Sequence, residues 1–230
     1  MALETSVVKL TKPQFFPPPE LAEPEGIVLF GGRLTTDWLL DAYRHGIFPW
    51  PIFDGTDLMV WWSPDPRAVV ELGGLHVSRR LERTLRSGAF TVTSDRDFRA
   101  VIEGCATVGD RCGATWITPE IVDAYLKLHD LGFAHSVEVW HEGRLAGGTY
   151  GVAVGGLFAG ESMFYQVRDA SKVALVRLVE HLRQRGYQLF DIQQLTPHTQ
   201  RLGAIEIPRD TYLARLAAAV DLPVTFGEIK

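Results

Sequence analysis

The chain has 230 residues, is 46% apolar and 10% aromatic, and carries a formal net charge of −5. Enough apolar surface is present to bury one large core or two modest ones, which excludes a disordered chain. The acidic balance excludes broad coating of nucleic acid, although a local basic patch could still meet one end of an RNA.

No apolar run approaches the roughly 20 residues that a membrane helix needs. The first residues lack the apolar segment of a signal peptide. Cys105 and Cys112 form neither a CxxC pair nor a disulfide framework. A cytoplasmic location is therefore expected.

Residues 1–25 are Pro-rich and read as an extended packing arm. GIVLFGG is a short strand or buried turn. Thr35 or Thr36 can cap a helix through Leu39, Leu40 and Tyr43, which Gly46 stops. GIFPWP follows, with Phe48 and Trp50 on a Pro-stiffened turn. These rings are either a hydrophobic plug or a platform on which a base stacks, worth about 1–3 kcal/mol per base. MVWWSPDP reads as a strand and a tight turn, which places a domain boundary near Asp65: a small N-terminal α/β domain over 1–65 and a larger domain over 66–230.

Between Arg67 and Arg99 lie seven arginines and four acids. Ser78 can cap a helix bearing Arg79, Arg80, Arg83 and Arg86, three of which share a face. The helix is either a solvated face or a set of phosphate contacts. FTVTS is a strand, and Asp95 opens a helix through Phe98, Val101 and Ile102. TWIT leads into a helix with Pro119 in its first turn and Val122, Tyr125, Leu126 and Leu128 along its stripe. Ser136–Trp140, Leu145–Val154 and Leu157–Met163 form a meander, with a hairpin signal at Gly155-Gly156. Gly147, Gly148 and Gly151 point to bulges or to close approach of a ligand backbone.

Asp169 or Ser171 can cap the next helix, whose stripe includes Leu175, Leu178 and Leu182. Tyr187 to Gln193 is a strand. Asp191 and Gln193 share one of its faces, and Phe190 and Ile192 share the other. A helix over Asp210–Ala219 and a short end strand close the chain. This order is α+β.

Scattered histidines give no zinc spacing, and His129 and His135 read as structural. No phosphate loop, dinucleotide fingerprint, HExxH or GxSxG elbow occurs. The remaining candidates are Glu161, Asp191 and Gln193, which form either an ordinary buried polar network or a site.

GESMF, the ASK at the helix start, the D-x-Q strand, and H-x-x-x-LGAxEIP from His198 to Pro208 resemble the bacterial leucyl/phenylalanyl-tRNA–protein transferases. So do GIFPW, WWSPDPRAV, VIEGCA, TWIT and AHSVEVW, so the likeness runs from about Phe16 to Leu213. The resemblance implies an acyl-CoA N-acyltransferase-like fold for the C-terminal domain, no cofactor, and a monomer. It implies transfer of Leu or Phe from Leu-tRNA or Phe-tRNA to proteins with N-terminal Arg or Lys, marking them for degradation.

By the same resemblance, Gln193 accepts a hydrogen bond from the attacking amine, Asp191 polarises that amide and helps relay the proton, and Glu161 faces the acceptor's basic residue. Trp50 and Trp116, with Thr149, Phe158, Met163, Leu175, Leu178, Leu182, Phe190 and Ile192, form the donor's adenosine and aminoacyl pocket. Arg79, Arg80, Arg83 and Arg86 contact tRNA phosphates. Asp191→Ala is expected to abolish transfer and leave the fold intact. Arg33, Thr149, Thr196, Pro197 and Arg201 depart from the family's usual residues, which touches domain packing, donor preference and acceptor contacts. A CoA-dependent N-acetyltransferase would want a Gly-rich pyrophosphate loop, and RDASK lacks one. A non-catalytic module that binds tRNA ends or basic N-termini is the other alternative.

Overall fold

The computed structural model describes residues 10–52, 58–108 and 115–229. Cys112 and the first nine residues of the Pro-rich arm lie outside them. Strands β1 (Ile27–Phe30), β2 (Phe48–Pro49) and β3 (Val60–Trp62) form a small antiparallel sheet in the order β1-β3-β2. Helix α1 (Thr36–Arg44) precedes β2, and a left-handed Gly46 turns the chain between them.

The second sheet has seven strands in the order β10-β4-β9-β8-β7-β6-β5. The expected meander is there as β6 (Ala134–His141), β7 (Arg144–Val154) and β8 (Leu157–Tyr165), all antiparallel. β5 (Thr91–Ser94) pairs outside β6. β9 (Leu189–Gln193) runs parallel to β8, joined to it by helix α5 (Ala170–Arg185). Two further strands, β4 (Arg67–Val70) and β10 (Ala204–Ile207), extend the sheet beyond β9. Helix α5, with α2 (Arg79–Arg86), packs on one face. Helices α1, α3 (Phe98–Thr107), α4 (Pro119–Asp130) and α7 (Arg209–Ala219) cover the other. The α+β reading holds.

Ser78 and Thr118 cap α2 and α4 by accepting the main-chain N–H of Leu81 and Ile121. Three local expectations are corrected. Helix α3 is capped by Asp97, which accepts from Ala100 N–H, while Asp95 accepts from Ser136 N–H and meets His135. Neither Asp169 nor Ser171 caps α5; Asp169 stands at the N-cap with φ 69° and binds Arg80 and Lys172. Residues 223–229 contain no strand. A bulge does sit at Tyr150/Gly151, but the close approach at the β7 glycines is made by the chain itself. A Cβ on Gly151 would stand 2.3 Å from the Ala159 carbonyl oxygen, and one on Gly148 2.8 Å from that of Val137.

Candidate functional site

β8 and β9 pair only from Leu157–Ala159 to Leu189–Asp191. Beyond Ala159, β8 stays with β7, while β9 stays with β4 as far as Gln193. The sheet splits there, and the gap opens into a cavity of about 370 Å³, within the range of small-ligand sites, roughly 300–1,000 Å³.

Trp50 and Trp116 stand together on its wall, ring centroids 5.4 Å apart and 31° from parallel. Met163 from β8, Leu175 from α5, and Phe190 and Ile192 from β9 make the apolar lining, with Thr149 beside them. The Thr149 hydroxyl is taken up by the Ser162 carbonyl (2.9 Å). Helix α6 (Pro197–Arg201), held by a capping box at Thr196, contributes His198 and Thr199.

Glu161 and Gln193 supply the polar side. Glu161 accepts from the Tyr43 hydroxyl (2.8 Å), the Tyr125 hydroxyl (3.2 Å) and the Gln193 side-chain amide N–H (3.2 Å). The two tyrosine hydroxyl oxygens also touch each other; each carries one hydrogen, so the three contacts among these hydroxyls and Glu161 are all hydrogen bonds only when the Glu161 carboxyl is protonated and donates one of them. Burial pushes the Glu161 carboxyl up to about 8; the Asp191 charge adds to the rise, and the two hydroxyls and Arg67 oppose it. Because Glu161 takes the amide N–H, the Gln193 Oε1 is left to accept from something else.

Asp191 lies behind this surface, only 1% exposed. Its Oδ1 accepts from Arg67 Nε (2.9 Å) and its Oδ2 from Arg67 Nη2 (2.6 Å) and the Tyr212 hydroxyl (2.9 Å). Arg67 also donates to the Gly46 carbonyl (3.0 Å), and its guanidinium lies between the Phe48 ring (4.8 Å) and the Tyr212 ring (4.5 Å). Phe48 is thus a plug, while Trp50 faces the cavity. Asp191 reaches Gln193 through the main chain: the Gln193 backbone N–H donates to Asp191 Oδ1 (2.9 Å). The expected polarisation of the Gln193 side-chain amide by Asp191 is replaced by this bond. Gln193 stands at φ 58°, in the left-handed region, so the strand alternation breaks there.

Of the expected pocket residues, Trp50, Trp116, Thr149, Met163, Leu175, Phe190 and Ile192 line the cavity. Phe158, Leu178 and Leu182 do not; they are buried in the core between α5 and the sheet. Leu178 and Leu182 lie about 4.5 and 10 Å further along the helix than Leu175, away from the split. On α2, Arg86 pairs with Glu82 (3.2 Å) and Arg80 with Asp169 (3.2 Å), while Arg79 and Arg83 are exposed.

Tyr43, Tyr125, Arg67 and Tyr212 were not foreseen as part of the site. A phenol on the buried stripe of a helix demands a hydrogen-bond partner, and an arginine opening the run RAVV demands a counter-charge; those were the available signals.

A family model described as leucyl/phenylalanyl-tRNA protein transferase matches residues 69–217, and one for the N-terminal domain of that family matches 32–65. A leucyl/phenylalanyl-tRNA–protein transferase of Anaeromyxobacter sp. (strain K) is 52% identical over 223 residues, covering 96% of this chain and 94% of the relative. One from Solidesulfovibrio magneticus is 52% identical over 205 residues, covering 89% and 82%. Among solved structures, a ribosomal-protein-alanine N-acetyltransferase from Brucella melitensis matches at TM-score 0.34 and 18% identity, over 49% of this chain and 86% of its own. A GCN5-related N-acetyltransferase from Kribbella flavida matches at TM-score 0.38 and 13% identity, over 74% and 59%. Similarity that slight decides nothing about this chain.

Proposed function

The chain belongs to the leucyl/phenylalanyl-tRNA protein transferase family, and on that premise we propose that it moves Leu or Phe from aminoacyl-tRNA to the N-terminal amine of proteins beginning with Arg or Lys, marking them for degradation. It acts as a cytoplasmic monomer without a cofactor, and its larger part, 66–230, is an N-acyltransferase-like unit beside the smaller 1–65. The observation that supports this most is a single opening that joins an aromatic pair, an apolar wall and the Gln193–Glu161 pair.

The amine nitrogen attacks the ester carbonyl carbon, a C–N bond forms, the C–O bond to the ribose breaks, and one amine proton ends on the ribose oxygen. Ester to amide is downhill. An α-amine of pKa roughly 7.7–8 is about a tenth or more unprotonated near neutrality, so no strong base is required. Positioning supplies up to about 7–11 kcal/mol in well-oriented systems.

Trp50 and Trp116 stack on the terminal adenine. Met163, Leu175, Phe190 and Ile192 surround the Leu or Phe side chain, and a thioether lets one pocket suit both shapes. Discrimination against Ile on methylene-scale contacts is about 1–3 kcal/mol and so finite. The Gln193 Oε1 accepts from the attacking amine, its amide held in that orientation by Glu161. Asp191, charge-paired with Arg67, positions Gln193 through the main chain. Glu161 complements the acceptor's basic side chain. Arg79, Arg80, Arg83 and Arg86 meet tRNA phosphates.

Incubation with labelled Phe-tRNA and a peptide that begins with Arg tests the reading. Label is expected on the peptide. Acylation from acetyl-CoA alone, or tRNA binding without transfer, would overturn it.

A further inference from the structure

His198 lines a second cavity as well, of about 490 Å³. Its walls come from three separate pieces of chain: His76 and Arg80 at the start of α2, Asp169 and Lys172 at the start of α5, and His198 and Arg201 on α6. Asp169 is the one carboxylate, and it meets both Arg80 (3.2 Å) and Lys172 (3.1 Å). Three cations against that one acid leave a formal charge of +2 with both imidazoles neutral (3 − 1). Arg201, His76 and His198 have no side-chain hydrogen bond or ion pair among the described residues. Burial, then Lys172 and Arg201, lower the His198 pKa, as a positive field should.

In a chain of net charge −5 this concentration of like charge is a local exception. Cations facing one concave space repel one another until an anion enters it, and a cleft of one sign focuses its field on such an anion. The positive end of α5 adds to that field. The wall shared at His198 puts this space next to the cavity assigned to the aminoacylated adenosine.

We propose that the basic cavity takes a phosphodiester of the donor RNA strand just upstream of its aminoacylated adenosine. Lys172 and Arg201 supply the charge, and Arg80 joins them from α2. The inference rests on the transferase reading above and adds a second point of grip on the donor. A base stacked on Trp50 and Trp116 fixes the terminal nucleoside, and a phosphate held here fixes the direction from which the strand arrives.

The test compares Phe-tRNA with 3′-phenylalanyl-adenosine, which carries no phosphate. The enzymes are wild type and the Lys172→Ala/Arg201→Ala double variant. Both side chains are partly or fully exposed, so thermal unfolding should not shift. For the variant, KM for Phe-tRNA should rise on the order of tenfold or more with kcat unchanged. The salt slope of tRNA binding should fall by about one for each cation removed. Arg201→Lys should restore part of the loss for the single Arg201→Ala change. Parameters for phenylalanyl-adenosine should not move. Unaltered kinetics with Phe-tRNA, or an equal loss with both donors, would overturn the phosphate role. Failure of the wild type with both donors would instead sink the transferase reading.

Discussion

Glu161 is the titrating group nearest the proposed chemistry. Burial raises its carboxyl to about 8, from an ordinary value near 4.5. The folded chain therefore keeps a proton that the unfolded chain gives up. Its favourable contribution to stability is full below about pH 4.5 and is lost as pH rises through about 8. Function runs the other way, because a basic acceptor residue is met best by the ionised form. Transfer to an Arg-initiated peptide then needs two deprotonations near pH 8, one at Glu161 and one at the amine. Log kcat/KM should climb with a slope near 2 below about pH 7, and Glu161→Gln should reduce that slope to about 1. Equal slopes in the two enzymes would remove Glu161 from acceptor recognition. Asp191 behaves differently. Its partner Arg67 is 1% exposed, and Asp191→Ala would strand that guanidinium without a counter-charge. Such a change costs roughly 3–5 kcal/mol, or about 6–20 °C in Tm for a chain this size. Asp191→Ala is therefore expected to lose stability as well as transfer, rather than to leave the fold untouched. A thermal melt within about 2 °C of wild type would show that the Arg67 pair does not hold the β9 end.

At the scale of elements, the tightest fit is between β7 and β8. A Cβ on Gly151 would fall 2.3 Å from the Ala159 carbonyl and 2.5 Å from the Phe158 ring. Main chain does not give way as a flexible side chain does, so Gly151→Ala should destabilise by about 1–3 kcal/mol, read as a lower denaturant midpoint at unchanged m. No loss would mean that the bulge at Tyr150/Gly151 relaxes freely. These glycines also mark how far the elements were legible. Long periodic segments such as α5 and the β6–β8 meander announce themselves, because each repeats its apolar spacing several times. β4 and β10 span four residues each, between prolines or glycines, and four residues hold too few periods to declare a strand. Sequence alone puts the cap of α3 two residues early because Asp95 and Asp97 are the same side chain; only the register of β6 diverts Asp95 to Ser136. Half of the site was legible from closeness in sequence, although the left-handed Gln193 ends the face that it was expected to share with Asp191. Asp191 and Gln193 lie two apart on one strand, while the Tyr43, Tyr125 and Arg67 partners come from segments whose convergence only the tertiary packing sets.

Over the whole molecule, the proposed parts 1–65 and 66–230 have separate sheets but share one apolar cluster. Phe16, Leu39, Tyr43, Ile47 and Trp61 from the first pack with Tyr125, Leu157, Tyr212 and Leu216 from the second. The polar network crosses the same line: Tyr43 donates to Glu161, and Arg67 donates to the Gly46 carbonyl. Neither part can open without exposing buried apolar surface of the other, at roughly 25 cal/mol per Å², and without stripping Glu161 or Arg67 of a partner. Calorimetry of the full chain should therefore give one transition, with calorimetric and van't Hoff enthalpies in agreement. Replacing Leu39, which is fully buried in the first part, with Ala should lower that single Tm, because a cavity there costs roughly 2–5 kcal/mol. It should also weaken transfer near the melting range in step with unfolding. Two resolved transitions, with Leu39→Ala moving only the lower one, would mean that the parts fold independently and that the site is assembled by docking.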